Sequence, residues 1–184
     1  MTRQPSPMVR LFSALAAAGC LVTGLATTGL AQGLPGLSIF SGIERVNQLN
    51  FRLDNFGRPG ATDRYHLRIP ATKMDLAVSQ FAITYPESYR GTFDDQDIEV
   101  KVNNKSIALD KAVWDKDNRV IEIYPVEPVP ADTRVEIVLS NVRNPRYVGT
   151  HYFNALVRSP GDLPMLRYVG TWQVSISPYH NNSL

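Results

Sequence analysis

The sequence predicts an all-β chain, an antiparallel, immunoglobulin-like Greek-key β-sandwich that follows a cleaved secretory leader. Three observations predict it. Short segments alternate apolar and polar residues, turn residues recur roughly every ten to fifteen positions, and no long amphipathic helix follows the leader. Strands of this kind bury one face each, which calls for a second sheet packed against the first.

The leader comes first. Arg3 and Arg10 precede an uncharged apolar run from Leu11 to Leu30, and Gly29 and Ala31 put small residues at the positions that a cut after Ala31 requires. The run is long enough to span a bilayer, so a retained anchor is the first alternative. Its flank, Gln-Gly-Leu-Pro-Gly, lacks a basic stop. Ala17-Ala18-Gly19-Cys20 offers a second alternative, lipidation at Cys20, but Leu-Val-Thr-Gly-Leu-Ala follows instead of a polar tether. Cleavage is the favoured reading, with residues 1–31 as signal peptide.

Removing the leader takes away the chain's one cysteine and leaves 17 basic and 17 acidic residues. No disulfide can staple what remains. A neutral domain carries no electrostatic footprint for nucleic acid, and membrane contact is expected only if the leader is retained or Cys20 is lipidated. The roughly 150 residues left suit a single domain with its own core.

Residues 32–44, rich in Gly, Pro and Ser, read as a linker or arm, and 45–178 as the sandwich. Leu49, Phe51 and Leu53 alternate with polar residues, as do Tyr65, Leu67 and Ile69, so each set marks a half-buried strand. The loop Asn55 to Asp63 joins them. Thr72 to Tyr85 fits a helix or a strand; a strand from about Leu76, ended by Tyr85-Pro86, is favoured. Glu87 to Asp97 reads as a polar connection with room for one helical turn.

Ile98, Val100 and Val102 then share a face, and Asn103-Asn104 turns the chain into a strand from Ser106 to Leu109. Asp115 to Asn118 turns it into Arg119 to Tyr124. Pro125, Pro128 and Pro130 separate that strand from Arg134 to Leu139; prolines cannot donate to a ladder, so this connection crosses between sheets or follows an edge. Asn144-Pro145 turns the chain again, and Thr150 to Val157 and Leu166 to Ile176 are the last strands. In the final one Leu166, Tyr168, Trp172, Val174 and Ile176 are placed on one face, with Gly170 at a bulge or close approach. Trp114 and Trp172 are expected as the largest core side chains. Residues 179–184 read as a disordered tail.

Several pieces carry a family resemblance. They are Arg68-Ile-Pro-Ala71, Arg119-Val-Ile-Glu-Ile-Tyr124, Pro128-Val-Pro-Ala131, Val135-Glu-Ile-Val-Leu139, Val142-Arg-Asn-Pro145, Gly149-Thr-His-Tyr-Phe153 and Gly170-Thr-Trp172. Together they resemble the cyanobacterial domain of unknown function 2808 family over most of the chain beyond the leader. The resemblance implies a secretory leader, a β domain and an extracytoplasmic home (periplasm, thylakoid lumen or outside medium), and assigns no activity.

Catalytic signatures are missing from the sequence. There is no Gly-x-Ser-x-Gly, no Gly-rich phosphate loop, and none of His66, His151 and His180 sits in a motif that names a role. His151 shares a face with Phe153, Ala155 and Val157, where a satisfied, half-buried histidine is the ordinary outcome. A metal site would draw on His66 or His151 with Asp94, Asp95 and Asp97, although no His-x-His or Glu-x-x-His is present. Asp115-Lys116-Asp117-Asn118 begins like a calcium loop but has Arg119 at the fifth position, so it reads as hairpin chemistry.

Aromatic residues near loops and strand ends are the remaining lead. Tyr85, Tyr89 and Phe93 with Arg90 form the candidate binding group, weighed against the plainer reading that such rings cap the core. The chain is therefore expected to be a non-enzyme without cofactor. Its expected role is an interaction or structural module of the cell envelope or another extracytoplasmic compartment, with a protein or polysaccharide partner. A periplasmic metal-binding protein is the alternative and a hydrolase the third reading.

Overall fold

The computed structural model describes residues 43–161 and 165–178. The leader, most of the arm and the 179–184 tail, including Cys20, His180 and the proposed cut, lie outside the described residues. Among the described residues, ten strands form two five-stranded sheets, all of whose strand pairings are antiparallel. One sheet contains β1 (Phe51–Leu53), β2 (Thr62–Ile69), β8 (Val135–Arg143), β4 (Ile98–Val102) and β5 (Lys105–Ile107), in that order. The other runs β10 (Arg167–Ile176), β9 (Gly149–Arg158), β3 (Gln80–Thr84), β7 (Val120–Pro125) and β6 (Leu109–Asp115). The chain passes repeatedly between the layers, so it is an immunoglobulin-like sandwich.

Register follows from the side chains that must be buried. In the first sheet Leu67 pairs with Ile137 and Ile69 with Val135; in the second, Phe81 pairs with Ile123 and Trp172 with Phe153. These side chains are buried and fill the space between the sheets. A one-residue slip would turn every one of them to solvent, which is what fixes the pairing. Trp172 is fully buried, and its indole N–H donates to the Arg68 carbonyl on the facing sheet at 3.1 Å. The largest core ring is thereby satisfied and pins the layers together.

The alternating segments around β1, β2, β4, β7, β8 and β9 form strands where the sequence placed them, and the Pro125–Pro130 connection does carry the chain from one sheet to the other. Asn103 and Asn104, at φ 49° and 68°, make the tight turn between β4 and β5. Other expectations are corrected. The strand expected from Leu76 starts at Gln80, because a short 3₁₀ turn at Ala71–Lys73 and an isolated bridge at Val78 come first and Leu76 stays exposed. Glu87 to Asp97 forms turns and a bridge at Thr92 rather than a helical turn. Ser106 to Leu109 is two strands, since the chain changes sheet at Ala108.

The face assignment in the last strand is also corrected. A bulge between Tyr168 and Gly170 inserts Val169 as an extra residue, which is buried while Tyr168 is only half-buried. At Gly170, φ is 155° and an added Cβ would lie 2.7 Å from Leu49 Cγ and 2.8 Å from the Asn47 carbonyl oxygen. The approach is close because the segment ahead of β1 straps across this strand: Leu49 N–H donates to the Thr171 carbonyl at 2.8 Å and Gln48 bridges Thr171 in parallel.

At one end of the sandwich, buried Asp63 and Asn144 join the β1–β2 and β8–β9 loops. Asp63 accepts the amides of Asn55 and Arg64 at 2.8 Å each on Oδ1, and that of Gly57 at 2.9 Å on Oδ2. Asn144 donates through Nδ2 to Asp63 Oδ2 at 3.1 Å and to the Arg58 carbonyl at 3.0 Å, and accepts from the Tyr65 hydroxyl at 2.6 Å. Backbone bonds from Gly60 N–H to Pro145 and from Asn144 N–H to Ala61, both 2.9 Å, complete the link.

Candidate interaction site

Tyr85 follows β3 directly, and Pro86 stops the strand there. The chain turns, Tyr89 N–H donating to the Pro86 carbonyl at 3.0 Å, and then clips to β8 through the paired Thr92–Arg143 backbone bonds. Gly91 permits the clip: a Cβ there would stand 2.6 Å from the Arg143 carbonyl oxygen and from the Tyr89 ring. This path swings Tyr89 and Phe93 back over the open end of the core.

The result is a nest of aromatic rings. Tyr89 stacks on Phe93 at 5.4 Å and meets Phe153 edge-on at 4.9 Å; Tyr85 lies 5.2 Å from Phe93. Trp114 from β6 meets Phe93 edge-on at 5.5 Å and donates its indole N–H to the Tyr85 hydroxyl at 2.7 Å. Beneath them the hydroxyls of Tyr89 and Tyr65 are 3.0 Å apart. Burial, reinforced by neighbouring charge and hydroxyl groups, raises the Tyr65 phenol well above its usual range. Burial raises Tyr89 likewise, against a smaller lowering by its hydrogen bond to Tyr65. Both stay neutral hydrogen-bonding groups.

Of the sequence candidates, Tyr85, Tyr89 and Phe93 do come together, but as buried rings that close the core. Arg90 is exposed and faces Glu87 at 3.8 Å. The group sequence reading missed is on the β6–β7 hairpin. Trp114, expected in the core, is half-buried, with the Lys116 ammonium 4.4 Å from its ring centroid. With Tyr85 it floors an open groove of about 430 Å³, bordered by the basic Arg90, Lys116 and Arg119 interspersed with the acidic Glu87 and Asp117. The signal was available, since Trp114 leads directly into the alternating charges Asp115-Lys116-Asp117 of a hairpin tip.

The metal candidates do not converge. His66, although on the outer face of its strand, is buried under charged neighbours: Arg52 donates to its Nε2 at 2.8 Å, leaving the Nδ1 proton for Glu136 at 2.9 Å. Asp94 and Asp95 accept from nearby amides, and Asp97 accepts from Asn141 at 2.9 Å. Among the described residues no group of three or more His, Cys, Asp or Glu is placed to hold an ion. His151 corrects an expectation of a satisfied histidine. It is buried edge-on to Tyr89 at 5.2 Å, with Ser88 Oγ 3.4 Å from Nδ1 and, among the described residues, no partner for Nε2. Burial pushes its imidazole below the usual value.

Comparison with known proteins settles the family. A family model described as a protein of unknown function, DUF2808, matches residues 37–176. The chain belongs to the DUF2808 family. No curated protein matches it. Solved structures similar to this DUF2808 chain include a bacterial hydrophobin, 13% identical over 71% of this chain and 97% of that one, with a TM-score of 0.47. A collagen-binding domain from a Staphylococcus aureus adhesin is 9% identical over 69% and 95%, with a TM-score of 0.39. The major pilin of Streptococcus agalactiae, as a 35 kDa C-terminal fragment, is 10% identical over 68% and 55%, with a TM-score of 0.43.

Proposed function

We propose that this DUF2808 protein is an exported, non-catalytic interaction module of the cell envelope or another extracytoplasmic compartment, and that it holds a protein or polysaccharide partner in the Tyr85–Trp114 groove. The observation that carries the reading is the construction of the groove. Its aromatic floor is locked from below by stacked and hydrogen-bonded rings, while its rim carries side chains of both signs. A preorganised aromatic surface gives contact area at small entropic cost, and a mixed rim gives orientation. Among the described residues that line it there is no histidine, cysteine or serine to serve as nucleophile or as an imidazole base. The leader pattern of residues 1–31 supports export.

The test is capture from envelope fractions and on immobilised envelope polysaccharide, comparing the parent with Lys116→Glu and Arg90→Glu. Both side chains are exposed, so folding is preserved. Retention should fall about tenfold or more in both variants, in line with loss of a rim charge at a hot spot. Equal retention of all three proteins would refute the groove as the site. Amino-terminal sequencing of the protein recovered from its host should begin at Gln32.

A further inference from the structure

The tip formed by the β1–β2 and β8–β9 loops presents an unusual surface. Phe56 is 56% exposed, Tyr147 82% and Val148 64%, although each is a side chain that burial would favour. Arg58 and Arg146 are exposed beside them, and the segments 55–61 and 144–149 contain no acidic residue. The acidic group Asp94, Asp95 and Asp97 lies at the same end of the sandwich, on the segment beside Ser140–Arg143, but its carboxylates are engaged by Asn141, Gln96 and the Trp114 amide rather than standing within the two loops.

These loops are not slack. The Asp63 carboxylate and the Asn144 amide, both buried, bind three of the loop backbone groups and each other, which fixes the two loops as one body. Burying an acid is costly unless its hydrogen bonds are complete, and here they are spent on holding loops whose outer side chains stay exposed. Phe56 also adopts a left-handed φ of 55°, a conformation that favours Gly or Asn.

We propose that this tip is a membrane-docking surface for anionic lipid, with Phe56, Tyr147 and Val148 entering the interfacial zone and Arg58 and Arg146 meeting headgroup phosphates. Its side chains project outward and so suit a deformable surface better than a small ligand, which needs enclosure. Apolar tips flanked by cations also match the order of a bilayer interface, acyl chains beneath and negative charge above. This contact does not depend on the leader as an anchor.

The experiment uses the full chain with Tyr147→Trp, mixed with phosphatidylglycerol or phosphatidylcholine vesicles carrying brominated acyl chains. Leu76→Trp is the matched control, since Leu76 is exposed beyond the opposite end of β2. Over the signal that Trp114 and Trp172 give in both variants, docking predicts a larger blue shift and stronger bromine quenching for Tyr147→Trp than for Leu76→Trp on phosphatidylglycerol, and about tenfold or greater weakening by Arg58→Glu with Arg146→Glu. Equal quenching at both positions, or insensitivity to charge reversal, would overturn the proposal. So would vesicle-free dimerisation abolished by Tyr147→Ser, or binding of a soluble anionic polysaccharide with no response to vesicles.

Discussion

Single residues carry much of the specificity of this sandwich, and Gly170 is the clearest. It occupies a positive φ at the bulge of β10, where Leu49 and the Asn47 carbonyl leave no room for a methyl group. Gly170→Ala combines overpacking with backbone strain and should cost about 2–4 kcal/mol in urea unfolding. His151 contributes to the acid limb of stability. Its imidazole titrates lower in the folded protein than in the unfolded chain, so between those two values the unfolded state binds more protons. Its contribution is therefore complete above the unfolded value near 6.5 and is lost as pH falls towards the folded value. His151→Gln should flatten the dependence of the urea midpoint on pH below about 6.5.

At the scale of elements, the turn chemistry was legible and the layer assignment was not. Asn103-Asn104 announced its hairpin because Asn tolerates positive φ; Asn104→Val should destabilise the protein by about 1–2 kcal/mol, measured by thermal melting. The period-two strands were readable because each buries one face. By contrast, Ser106 to Leu109 keeps its alternation through Ala108, with no Gly or Pro to mark the change of sheet. Val169 was misplaced because a bulge reverses the alternation without changing composition. Tyr85, Tyr89, Phe93 and Arg90 were grouped by residue type alone, and the structure brings the three rings together as a cap on the core. Their burial depended on the Thr92–Arg143 clip, a pairing between distant segments that local periodicity does not register. The same holds for Asp63 and Asn144, which are ordinary turn residues until the fold brings them together.

For the whole molecule, stability rests on the interleaved faces of the two sheets. Cys20 is the only cysteine of this chain, so an intrachain disulfide has no part in it. The thermal midpoint should accordingly be the same with and without dithiothreitol, and a difference would expose a covalent contribution between chains. The strap ahead of β1 has a consequence for how such molecules coexist. Among the described residues β10 is the terminal strand of its sheet and the longest edge, whereas β1 and β5 at the margins of the other sheet span three residues each. Unpaired edges of that length act as templates on which a foreign strand can grow. By laying Gln48 and Leu49 along Thr171, the chain covers the middle of that edge with its own backbone, so a few residues before the first strand interrupt the stretch on which a neighbouring molecule could pair.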